Sequence, residues 1–149
     1  CSCRLGAYYA GASDDEVAGL GEYGKHLGTA FQITDDLLDV LGDPRTTGKS
    51  LGTDLEKQKL TLPLIRTLQL ADENERDEII QVLVGGDSCR RPLREQLLPY
   101  LERHDAIAYA REAASRHADL AQQQLANLPE SEARNILAGL PAFVLARSA

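Results

Sequence analysis

Apolar residues recur along this chain at helical spacing, and strand-like alternation is absent, so the pattern predicts an all-α fold. Cys3 to Ala12 reads as the end of a small-residue helix, closed by Gly11-Ala12. Ser13 followed by Glu16 forms a capping box, with Ser13 as N-cap and Glu16 three residues on. A helical pattern then runs to about Leu41, where Gly42 and Pro44 stop it. Gly19, Gly21, Gly24 and Gly28 recur inside it. Each costs roughly 1 kcal/mol relative to alanine, which predicts close approach of a neighbouring helix or a ligand. Asp43 to Lys59 is a polar loop rich in Gly, Thr and Lys, long enough that function explains it better than connection does. Thr61 and Pro63 open a helix to about Ala71, with proline in the first turn where its missing N–H is tolerated. Further helices are expected at about 73–84, 92–103, 106–127 and 130–147. Gly85-Gly86-Asp87, His104-Asp105 and Leu128-Pro129 are the breaks between them.

The long helix carries the chain's most distinctive chemistry, Phe31-Gln32-Ile33-Thr34-Asp35-Asp36-Leu37-Leu38-Asp39. At about 100° per residue, Lys25, Gly28, Gln32, Asp35, Asp36 and Asp39 share about a third of the circumference. Phe31, Ile33, Leu37, Leu38, Val40 and Leu41 cover most of the rest, which predicts a buried helix whose acidic stripe faces a cavity. The stripe is costly by itself. Like charges one turn apart destabilise a helix by roughly 0.2–0.5 kcal/mol. Carboxylates near its C-terminus oppose the macrodipole by roughly another 0.3–1 kcal/mol. A divalent cation reverses both terms, and Mg²⁺ suits the site because it takes one or two carboxylates, several waters and phosphate oxygens. The competing reading is a solvated acidic helix end.

Lysines weigh against that bland reading. Lys49 and Lys59 follow the acids in sequence, and the chain has only four lysines. An ammonium is a compact point charge suited to gripping phosphate. Gly48-Lys49-Ser50 also looks like the end of a phosphate-binding P-loop, but Asp43 stands where that motif needs its first glycine, and no strand precedes it.

Composition narrows the class. With 43% hydrophobic and 26% charged residues, the 149-residue chain fits one soluble domain or a piece of a larger one. No stretch approaches the ~18–20 apolar residues of a membrane span. The net charge of −7 argues against nucleic acid as a partner. Cys1, Cys3 and Cys89 form no CxxC pair and are expected to be buried thiols of a reducing cytoplasm. His26, His104 and His117 have no metal-ligand spacing and are read as structural or surface residues. The start at Cys1 and the absence of Met lead to the expectation of a fragment.

These motifs together resemble the trans-isoprenyl diphosphate synthases, or polyprenyl synthetases. The segment from Gly28 to Asp39 is similar to that family's second aspartate-rich motif. Gly48 to Leu55 and Lys59-Leu60-Thr61-Leu62-Pro63-Leu64-Ile65 are similar to its lysine loop and the following helix. The resemblance implies the C-terminal part of an isoprenoid-synthase helical bundle around a central cavity, spanning residues 1–149. It implies that an allylic prenyl diphosphate ionises, isopentenyl diphosphate attacks the cation, and proton loss leaves a chain one isoprene unit longer. Asp35 would ligate Mg²⁺, with Asp36 and Asp39 supporting directly or through water. Gln32, Lys49 and Lys59 would line the allylic diphosphate site. Phe31 would face the cationic chain or pack in the core. A cytoplasmic homodimer is also implied.

The family's other aspartate-rich motif and an upstream Lys-Thr pair have no counterpart here, since the only DDxxD is at Asp35. The expectation is therefore the C-terminal half of a synthase, inactive alone. Thr61-Leu62-Pro63 leans toward the longer-chain, octaprenyl- or heptaprenyl-type members. A non-catalytic helical subunit of a heteromeric synthase and a terpene-cyclase-like enzyme are the alternatives.

Overall fold

A computed structural model describes residues 1–42, 57, 59–85 and 91–147. Within them the chain is all-α: α1 Ser2–Tyr9, α2 Asp14–Leu41, α3 Leu62–Leu70, α4 Glu73–Val84, α5 Leu93–Arg103, α6 Ala106–Gln124 and α7 Glu132–Ala146. Two compact units emerge, one of Cys1–Thr34 with the chain from Ala113 onward, the other of Asp35–Glu112. α2 and α6 each supply residues to both.

In the first unit the predicted capping box forms. The Ser13 N–H and hydroxyl both donate to Glu16 Oε2 at 2.8 Å, and the Glu16 N–H donates back to Ser13 Oγ at 3.4 Å. The backbone bond from Ser13 is the main cause holding the Glu16 carboxyl below its usual range. α2 packs on α6 and α7 through small residues, with Ala30, Ala118 and Ala121 buried between larger neighbours such as Leu27, Leu125 and Val144. Tyr23 is fully buried, and its hydroxyl donates to the Leu137 carbonyl at 2.8 Å. Burial raises that phenol to about 12.

The glycine expectation holds at Gly24. A Cβ there would lie 2.8 Å from Cys3 Sγ and 3.0 Å from Cys3 Cβ, so the missing side chain lets α1 lie against α2. At Gly28 a Cβ would meet nothing within 4 Å, and close packing explains nothing. The cysteines differ from expectation: Cys1 is exposed and Cys3 half-buried, because α1 is a short helix resting on α2. Cys89 lies outside the described residues.

Two boundaries also move. α6 ends at Gln124 because the N–H groups of Leu125 and Ala126 turn to carbonyls three residues back, at Gln122 and Gln123. α7 begins at Glu132, since the Ser131 hydroxyl accepts from the Arg134 N–H at 3.1 Å and fixes the cap there. Pro141 sits inside α7, buried.

The second unit is built around Val40, Leu64, Ala71, Ile79, Leu97, Leu101 and Ala106. α3 opens with Thr61 as N-cap and Pro63 in the first turn, as the sequence predicts. Asp72 caps α4 by accepting the Glu75 N–H at 2.9 Å. Glu75 then accepts from Arg103 and pairs with His104, both at 2.6 Å, tying the start of α4 to the end of α5. Asp105, at φ 49°, makes the reversal between α5 and α6 that His104-Asp105 predicts.

Candidate functional site

The predicted acidic stripe lies on one uninterrupted run of α2, and its exposure is graded around the helix. Gln32 is exposed, Asp35 and Asp39 are half-buried, and Asp36 is 9% exposed beside the buried Val40 and Leu37. The helical wheel gives the reason. Asp36 and Val40 are one turn apart, which puts Asp36 on the stripe's margin toward the core, while Asp35 and Asp39 are one turn apart nearer its centre. Thr34, on the opposite face, is wholly buried.

Phe31 differs from its assignment to the apolar wrap. It is 44% exposed, on the margin next to Asp35, and the Arg147 guanidinium stacks 4.6 Å from its ring centroid. Lys59 is exposed, three residues before α3, and its carbonyl accepts from the Thr61 N–H at 3.0 Å. Lys49 and the rest of its glycine-flanked segment lie outside the described residues.

Among the described residues no three His, Cys, Asp or Glu side chains are gathered to hold a metal by themselves. The carboxylates of Asp35 and Asp39 still fit a hard cation such as Mg²⁺. It needs only one or two protein carboxylates where substrate oxygens and water complete its shell. Two hard oxygen donors one turn apart on a half-buried face are that kind of partial set.

One residue at this end of α2 escaped the sequence reading. The last turn of α2 carries no basic residue of its own. Arg94, in the first turn of α5, supplies the missing charge: its Nε donates to the Val40 carbonyl and its Nη2 to the Gly42 carbonyl at 3.3 Å. These carbonyls belong to the helix end, where no continuing turn satisfies them. A partner more than fifty residues away leaves no local signal in the sequence.

The histidines, read as structural or surface residues, each have a side-chain partner: His104 has Glu75, and the other two have each other. His26 on α2 and His117 on α6 set their Nδ1 atoms 2.9 Å apart. Burial, then His26, Arg116 and Lys25, lowers the His117 pKa. A separate hollow of about 730 Å³, lined by Asn74, Asp77, Glu78, Gln81, Val82 and Tyr100, contains none of the predicted site residues. No helix among the described residues is long and apolar enough to cross a membrane.

Comparison with known proteins agrees with the all-α architecture described above. The polyprenyl synthetase family model matches residues 1–98, and the chain belongs to that family. It is 39% identical over 144 residues to the short chain isoprenyl diphosphate synthase of Methanothermobacter thermautotrophicus, covering 97% of this chain and 43% of that protein. The crystal structure of a decaprenyl diphosphate synthase from Rhodobacter capsulatus superposes with a TM-score of 0.87 at 38% identity, over 98% of this chain and 45% of that one. Polyprenyl synthase from Caulobacter crescentus, solved with calcium and isoprenyl diphosphate, gives 0.83 at 30% identity, over 98% and 44%. The chain thus spans less than half the length of the relatives it matches.

Proposed function

We propose that this chain supplies one metal–diphosphate wall of a trans-prenyl diphosphate synthase, which extends an allylic diphosphate with isopentenyl diphosphate. The observation that carries the reading is the pair Asp35 and Asp39, half-buried and one turn apart on α2 within the span matched by the family model. Asp35 and Asp39 present oxygens to Mg²⁺, and Asp36 supports them from the core-side margin. Gln32, on the exposed part of the same face, offers an amide donor to a phosphate oxygen. Lys49 and Lys59 bring ammonium groups to the diphosphate as leaving-group charge builds there. Phe31, exposed on the helix margin next to Asp35, offers an apolar contact for the substrate's chain. When bound, Mg²⁺ supplies the positive charge that makes diphosphate a competent leaving group.

Relatives solved with calcium and isoprenyl diphosphate support a divalent cation and this substrate class. Product length is not part of the proposal, because a short-chain relative and a decaprenyl synthase match at 39% and 38% identity. The test is Asp35→Ala in the full-length protein, assayed for condensation over a range of Mg²⁺. The expected result is a rate loss of about a hundredfold or more, in line with removing an electrostatic group from a transition state. Unchanged kinetics at every Mg²⁺ concentration would contradict the assignment.

A further inference from the structure

We propose that Arg94 is a positioning residue for the acidic stripe, clasping the end of α2 so that Asp39 is held ready for its cation. This inference rests on the diphosphate reading above. Helices end with carbonyls that lack intrahelical partners, and the macrodipole concentrates negative charge there. α2 makes both problems worse, since Asp36 and Asp39 lie within its last two turns and no basic residue of its own lies in the last one. An unsupported end of this kind frays, and a fraying last turn carries Asp39 with it.

Arg94 answers this from α5, in the same unit. Its Nε and Nη2 reach two carbonyls that straddle Leu41, those of Val40 and Gly42. A planar guanidinium donating at two points fixes the rotation of the helix end as well as its position, which a single charge does not. Asp39 immediately precedes Val40, so the clasp sits one peptide from the carboxylate. The Gly42 N–H meanwhile bonds the Leu38 carbonyl at 2.8 Å, closing the same turn from within. Arg94 is anchored by the first turn of α5, whose Leu97 and Leu101 are buried in the unit's core with Val40 itself. The core thus sets the distance between the clasp and the turn it holds.

Charge and positioning predict different outcomes. If Arg94 acted only through its charge, lysine would replace it, and its removal would favour cation binding by taking away a repelling neighbour. A positioning role requires the fork, so lysine fails as glutamine does.

The experiment measures Mn²⁺ binding in the presence of inorganic diphosphate for the full-length protein and its Arg94→Lys, Arg94→Gln and Asp35→Ala variants. Amide exchange at Leu41 and Gly42 is followed in parallel. The expected result is binding weakened about tenfold in both Arg94 variants, the scale for residues that orient metal ligands. Exchange at Leu41 and Gly42 should be faster, with the remaining helices as protected as before. Wild-type binding in Arg94→Lys would overturn the clasp, and so would faster exchange with unaltered binding. Should Asp35→Ala also bind like wild type, it is the diphosphate reading that fails; should Asp35→Ala alone lose binding, that reading stands and the Arg94 proposal falls.

Discussion

The titratable pair His26 and His117 shows how single atoms couple two helices. With Nδ1 facing Nδ1 at 2.9 Å, one ring donates and the other accepts. The pair tolerates one added proton and loses its hydrogen bond with the second. Glu22 Oε2 lies 3.9 Å from His26 Nε2, while burial, then His26, Arg116 and Lys25, resists charge on His117. The His117 pKa is lowered in the fold, so the unfolded chain binds more protons in acid. Its contribution to stability is complete above the ordinary histidine value of about 6.5 and is lost as pH falls through the lowered one. The expected outcome is a melting temperature that falls as pH drops below about 6.5 in the wild type and falls less in His117→Asn. Parallel losses in the two proteins would contradict this. Each histidine was read as structural or surface, but their pairing was not legible, because ninety-one residues separate them.

Among elements, α2 was the most readable and yet the one whose details differed most. Its cap, its length to Leu41 and its stop at Gly42 followed from Ser13, Glu16 and the apolar period, all local signals. The burial of its faces depended on what packs against them. Phe31 became exposed, with Arg147 stacked on it, and Asp36 slid to the core side beside Val40. The glycines divide the same way. Gly24 is needed where α1 crosses, whereas Gly28 meets no neighbour. Gly24→Ala would gain roughly 1 kcal/mol in helix propensity, yet its Cβ would press on Cys3 at 2.8 Å. Overpacking of that kind costs about 1–3 kcal/mol, so the variant is expected to melt lower, and Cys3→Ala in the same background to recover part of the loss. A melting temperature at or above wild type for Gly24→Ala would show that α1 does not need the close approach.

For the whole molecule, family and all-α class were legible because the motifs from Gly28 to Ile65 keep their order and spacing, and the family model spans residues 1–98. The longer-chain lean from Thr61-Leu62-Pro63 carried less, since short-chain and decaprenyl relatives match equally well. Long-range partners such as Arg94 on the Val40 carbonyl were not legible, for no periodicity records which distant side chain closes a helix end. What the fold does is bring two carboxylates onto a half-buried face at the end of a clamped helix. The most direct test is calorimetric titration of the full-length protein with an allylic diphosphate, with and without Mg²⁺, beside the near-isosteric double variant Asp35→Asn, Asp39→Asn. The account predicts tight binding that requires Mg²⁺ in the wild type and loses that requirement, with most of the affinity, in the variant. Equal, Mg²⁺-dependent binding by both proteins would show that the acidic stripe is not the cation's holder.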